Sequence, residues 1–450
     1  MAAVNFPEKA VVEIWQHQIT GRTDLTTEDG RPIQVVYPGM ISGDCGADFV
    51  DAVIRTGVGL IRGGIEIHVD SSGWWGHGHH EDPAYNGVIL HVVYNHDRKQ
   101  PVHLQNGQVV PTLALKRFVK GRGGASYRGV NRTLFPALPC RNVAAIKNGS
   151  VLREVLEAAG EERFRARIAE YKTEIVRVGA AQALYAGIME ALGYAKNKKQ
   201  MKTLAGLLPL ARLEALINTH SEDKNCLFRL QSSLLGAAGL LPSQYRGKTS
   251  PYQSADAWLA EMESYWESLG EESYLVRDEW QFFKIRPGNH PVQRLAGMGC
   301  LLFRFRKEGI LSGLVENISS DYREIEESLY IPGSWRGDLG PGQHYQPALL
   351  GRERAAVIAV NVLLPLAAAQ AELASCQEDF RRILEIFYQY PRLATNNLER
   401  HMKSQFRLEK GQIASARQQQ GLIQIYRSRC SRGNCPVCPV NVPVFNVGKQ

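Results

Sequence analysis

Apolar and polar positions in the first hundred residues fall into short blocks separated by glycine and proline. Residues 11–19 carry a helical pattern, and the polar stretch 22–30 reads as a turn-rich segment after it. Residues 33–37, 49–55 and 65–69 are short apolar runs bounded by Gly or Pro, which predicts three strands. Residues 71–80 form a polar loop rich in Gly, Trp and His. A short helix over 82–86 and a buried strand over 88–94 complete an αβββαβ order.

The pattern then changes. Residues 101–140 read as a β-rich extension with a basic tip over 116–132, where Gly121, Gly123, Gly124 and Gly129 alternate with six cationic side chains. From Val151 the apolar period becomes 3.6, as in Leu152, Val155, Leu156 and Ala159 and later in Leu184, Ile188 and Leu192. After Pro391 a basic, glutamine-rich helix over 412–429 leads to a cysteine cluster. The expected organisation is an α/β module over 1–140, a helical domain over 141–391 and a C-terminal basic segment over 392–450, α+β overall. Residues 355–369 are almost wholly apolar, but Asn361 and Pro365 interrupt the run and alanine dominates it. A buried helix is expected there rather than a membrane span.

Composition sharpens this outline. The 450 residues have a mean hydropathy of −0.25 and a net charge of +8, which suits globular units with sizeable cores. Glu8, Lys9 and Glu13 occupy the region where a secretory signal would be apolar, so a cytoplasmic location with no membrane partner is expected. Residues 1–100 hold 7 basic and 13 acidic side chains, whereas residues 101–150 hold 8 basic and none acidic. An acidic module followed by a basic one suggests carboxylate chemistry with a cationic rim, suited to a polyanion such as nucleic acid. A solvated Lys/Arg surface is the plainer alternative.

The strongest chemical constellation is Gly46-Ala47-Asp48-Phe49 followed by Gly64-Ile65-Glu66-Ile67-His68. If these runs are antiparallel neighbours, Asp48 and Glu66 converge, and Glu66 and His68 share one face of a strand. Two carboxylates with a third group can hold magnesium or manganese, and a water at such an ion can attack a phosphodiester. Glu13 on the preceding helix is a further candidate carboxylate, and His68 a candidate for orienting or deprotonating the water.

An αβββαβ core with an acid on the second strand and Glu-x-basic on the third resembles the PD-(D/E)xK nuclease superfamily over about the first 100 residues. Ala47 stands in place of the proline and His68 in place of the lysine. The resemblance implies a restriction-endonuclease-like module and metal-dependent cleavage of DNA or RNA. The alternative is a non-catalytic nucleic-acid-binding or scaffold protein on a degenerate nuclease fold. A longer resemblance rests on Gly64 to Val69, Ser71-Ser72, Trp74, His77, His79, Asp82, Ala84-Tyr85 and Val88 to Tyr94. Pro139-Cys140, Arg286 to Pro291, Asn361 to Pro365, Gln419 to Ile423 and the final cysteines also carry it. In these the chain resembles a bacterial family, domain of unknown function 2851, which implies no activity.

Further candidates are scattered. His77 and His79, with His80, sit in the glycine-rich loop and are expected to contact phosphate or water, with zinc or manganese ligation as the alternative. A zinc hydrolase of small substrates built on these histidines is a third functional reading. Lys116, Arg117, Lys120, Arg122 and Arg128 are expected to track phosphates. Arg286 and Arg294 flank a rigid Arg-Pro-Gly-Asn-His-Pro turn, which serves either a phosphate backbone or simply the start of a helix at Pro291. Cys430, Cys435 and Cys438 offer three thiolates at metal spacing, and Cys140 is the best fourth. Together they predict a structural zinc or a 4Fe-4S cluster stapling distant parts of the chain. No P-loop ending occurs in the glycine-rich stretches, so any ATP-driven partner is a separate protein.

Overall fold

The computed structural model describes residues 7–19, 22–43, 45–118, 140, 149–220, 225–244, 257–333 and 348–440. Two compact units emerge. The first comprises Met1–Glu161, Thr395–Ala414 and Gln418–Gln450, and the second Glu162–Ala394 with Ser415–Arg417. The C-terminal segment expected as a third division therefore packs into the first unit. The fold is α+β: a mixed sheet in the first unit, a mainly helical second unit.

The sheet is built from β1 (Gln34–Tyr37), β2 (Met40–Ile41), β3 (Phe49–Thr56), β4 (Gly59–Asp70) and β5 (Val88–Asn95). A small hairpin of β6 (Val102–His103) and β7 (Val109–Val110) precedes β8 (Thr112–Ala114). The sheet order is β1-β3-β4-β5-β8, with β2 also on β3. The meander β1-β3-β4 is antiparallel, and β4, β5 and β8 run parallel. Parallel neighbours need a crossover, and residues 71–87 supply it on the face that carries Glu66 and His68.

Strand alternation sorts β4 into two faces. Ile65 and Ile67 join Val11, Ile14 and Trp15 of α1 (Glu8–Gln18) in one core, together with Ile54, Leu90, Val92 and Leu113. Glu66 and His68 face the other way, toward Trp74, Val88, Val102, Leu104 and Val110. The crossover is more ordered than its polar sequence suggested. Residues Gly73–Gly76 form a one-turn helix, α2, and the helix expected over 82–86 is a single 3₁₀ turn at Pro83–Tyr85 capped by Asp82. A Cβ at Gly73 would lie 2.7 Å from His68 Cδ2, so glycine is what lets α2 rest on that ring.

The second unit buries one extended core that includes Leu184, Ile188, Leu234, Leu295, Leu363 and Phe387. The apolar run lies within it. Arg352–Leu373 is long and apolar enough to cross a membrane, yet most of its apolar length is buried inside the unit. Pro365 has no N–H for the carbonyl of Asn361. The helix is π-helical over Ala359–Leu363, and Arg167 Nη2 donates to the Asn361 carbonyl at 3.0 Å.

Candidate metal centre

The β3–β4 register pairs Phe49 with Ile65, which sets Asp48 beside Glu66 as the spacing implied. The two are interlocked. The Asp48 N–H donates to Glu66 Oε2 at 3.1 Å, and the Ile67 N–H donates to Asp48 Oδ2 at 2.9 Å. Burial and the Glu66 charge raise the Asp48 carboxyl to about 7. Glu8 also acts on Asp48, so the acid that α1 brings to bear is at its first turn. Glu13 is half-buried, further along the same helix.

Three imidazoles complete the cluster. Among the described residues, His68, His77 and His79 present ring nitrogens that all lie within 4.8 Å of one another. His79 Nε2 is 3.1 Å from Glu66 Oε1, buried and without an aligned hydrogen bond. His68 Nε2 is 3.1 Å from His77 Nδ1, and His68 Nδ1 is 2.9 Å from His91 Nε2. Both nitrogens of His68 are thus engaged by other rings, and burial pushes its pKa down to about 3. The expected role of His68 as a water-activating base does not fit this environment. His91, fully buried on β5, is likewise held neutral by burial. His77 is exposed and marks the side open to solvent.

Two aromatic residues that sequence reading did not assign to the site wall it. The Tyr85 ring lies against His79 with centroids 3.9 Å apart. Burial, with the charges of Glu66, Asp82 and Asp48, pushes its hydroxyl up to about 12, so it remains a hydrogen-bond donor at neutral pH. Trp74 packs edge-on against His79 and donates Nε1–H to the His103 carbonyl at 3.1 Å. Outside this wall, Arg98 stacks over Trp75 at 4.4 Å, while Asp97 accepts from Ser71 Oγ and the Ser72 N–H at 2.9 Å, fixing the entrance to α2. Their sequence signal was the run of Trp, His and Tyr around a Glu-x-His strand.

The cationic candidates divide. Lys116 is exposed just after β8, and Arg117 pairs with Glu28 at 3.2 Å, donates to the Thr26 carbonyl and stacks on Phe118. Lys120, Arg122 and Arg128 lie outside the described residues. Arg286 is exposed in the second unit. Arg294 is not available to a phosphate. It is 5% exposed and donates to the Leu349 carbonyl, to Tyr194 Oη at 2.9 Å and to Asn289 Oδ1 at 3.0 Å. The Pro291 motif is a helix start, with His290 Nδ1 accepting from the Val292 N–H.

Comparison with known proteins follows the same outline. The family model described as "Protein of unknown function (DUF2851)" matches residues 8–396, a span that holds the whole histidine–carboxylate cluster and stops short of Gln419 to Ile423 and the last three cysteines. No curated protein and no solved structure matches the chain. With most of its length matched, the chain belongs to the DUF2851 family.

Proposed function

We propose that the protein is a divalent-metal-dependent hydrolase of phosphodiester bonds in nucleic acid, with the ion held by His68, His77 and His79 beside Glu66. The observation that carries this reading is the meeting of three imidazole nitrogens next to an interlocked carboxylate pair. A donor set rich in imidazole favours zinc or iron over magnesium, while the neighbouring carboxylates keep manganese among the ions to be tried. His68 offers Nε2 when its Nδ1–H donates to His91, the outer partner that sets tautomer and ring angle.

A divalent ion at this point supplies a Lewis acid for a phosphoryl oxygen. Asp48 and Glu66 are the carboxylates placed to take a proton from water, and Tyr85 is the hydroxyl placed to donate one hydrogen bond. Supporting a nuclease over other hydrolases is the strand order, with an acid heading the second long strand and Glu-x-His on the next, as the PD-(D/E)xK resemblance implies. The wholly basic stretch 101–150 directly follows this module and suits a polyanionic substrate.

The test is metal analysis followed by cleavage of labelled single- and double-stranded DNA and RNA with zinc, manganese or magnesium, beside Glu66→Gln and His77→Ala. The reading expects metal-dependent cutting that both substitutions reduce at least a hundredfold, as removal of a transition-state group does. Unchanged cutting by Glu66→Gln would overturn the site. Salt-sensitive binding with no turnover under any metal would leave the non-catalytic platform instead.

A further inference from the structure

The first unit holds a second constellation, of which Cys140 lies inside the family match and Cys430, Cys435 and Cys438 lie beyond it. Cys430 and Cys438 are buried, and with half-buried Cys140 they share a core with Tyr37, Val53, Leu156, Phe406, Leu422 and Tyr426. Cys435 joins them through a 3₁₀ turn, Cys435–Val437, in which the Cys438 N–H donates to the Cys435 carbonyl at 3.2 Å. Gly433 makes the reversal between Cys430 and Cys435 at φ 68°, a conformation that favours glycine. The Gln405 side chain then bridges chain segments, donating Nε2–H to Cys140 Sγ at 3.2 Å and to Cys430 Sγ at 3.6 Å. All four are free thiols.

We propose that Cys140, Cys430, Cys435 and Cys438 are the ligands of an iron–sulfur cluster of the cubane type, with Gln405 tuning it through hydrogen bonds to two of the sulfurs. Four sulfurs converging from two distant parts of the chain match the ligand count of such a cluster. Four thiolates are also an ordinary zinc set, so iron, sulfide and zinc analysis is what separates the two metals.

Cys140, Cys435 and Cys438 all lie close enough to Cys430 to act on it electrostatically. Both Cys435 and Cys438 precede proline, which leaves no backbone N–H at the following position to compete for the sulfur. The cluster would join Cys140 to the last turn of the described structure, so its first consequence is mechanical.

The test is anaerobic purification of the full chain with analysis of iron, acid-labile sulfide and zinc and with visible and paramagnetic resonance spectra. About four irons and four sulfides per chain are expected, with a broad visible band bleached by dithionite. Cys435→Ser loses the band and most of the iron, whereas Cys45→Ser, an exposed cysteine outside the proposed ligand set, keeps both. Gln405→Leu retains iron but shifts the reduction potential to more negative values, because hydrogen bonds to the sulfurs favour the reduced state. One zinc per chain without sulfide, or iron unaffected by Cys435→Ser, would overturn the proposal. So would a metal-free wild-type protein, which needs no variant to fold. Since these readouts are spectroscopic, they stand apart from any cleavage assay at the histidine site.

Discussion

Gly421 sits in the helix Ala416–Ser428, where it crosses the long helix Gly149–Val178 within the first unit. A Cβ added there would fall 2.0 Å from the Leu156 carbonyl oxygen and 2.8 Å from its carbon. Both partners are backbone, so neither can rotate away, and the helices would have to separate by about 1 Å to restore van der Waals contact. Alanine gains ~1 kcal/mol over glycine in a helix interior. Overpacking against rigid neighbours costs about 3 kcal/mol at the upper end of its usual range. The net expectation for Gly421→Ala is a loss of about 2 kcal/mol, which in a unit of roughly 200 residues lowers the unfolding midpoint by ~4–8 °C. Thermal scans by circular dichroism measure it. Gly206→Ala is the matched control, since the space around its Cβ is open and its helix Lys198–Leu207 should gain a few tenths of a kcal/mol. If Gly421→Ala behaves like Gly206→Ala, the close helix crossing is wrong.

Other substitutions probe separate features. Arg167→Met removes the donor to the Asn361 carbonyl that Pro365 leaves open, and should cost about 1–3 kcal/mol by urea titration. His401 and His290 are each lowered to about 4 by burial. In the unfolded chain they titrate near 6.5, so between pH 6.5 and 4 the unfolded state binds more protons. Stability from these groups is full above about pH 6.5 and falls as pH drops toward 4, by roughly 3 kcal/mol for each. Unfolding midpoints across that window should fall less steeply in His401→Gln, and an equal slope would contradict the burial argument. His91→Gln leaves all three proposed ligands in place but removes the outer partner of His68, so zinc or manganese affinity by calorimetry should weaken about 10–100-fold.

Much of the first unit was legible from local pattern. The strands at Gln34–Tyr37, Phe49–Thr56 and Val88–Asn95 lie within a residue of the apolar runs that announced them. Such runs alternate, are β-branched and end at glycine or proline, all properties of neighbouring residues. The Asp48–Glu66 pairing was legible only on the condition that the two runs are antiparallel neighbours, and the register set at Thr56–Gly59 shifts by one residue between Ala52 and Phe49, a bulge that puts Phe49 opposite Ile65. The C-terminal helix was expected to begin at 412 and begins at Ala416, since Ser415 is held in a bridge to Pro391 before the helix can start.

What only the tertiary structure decided involves groups whose neighbours come from elsewhere. Arg294 looked like a phosphate ligand because a guanidinium is charged. It is buried, with its Nη groups donating to the Leu349 carbonyl, Tyr194 Oη and Asn289 Oδ1. Polar loop composition announced an irregular 71–80, but a helical turn seated on His68 turned its histidines into one cluster with Glu66. His68 itself passed from candidate base to a ring locked between two others. Short-range sequence pattern sets which backbone hydrogen bonds form. Whether an ionisable side chain meets water, a carboxylate or another imidazole depends on burial by residues far along the chain, and only the folded packing supplies them.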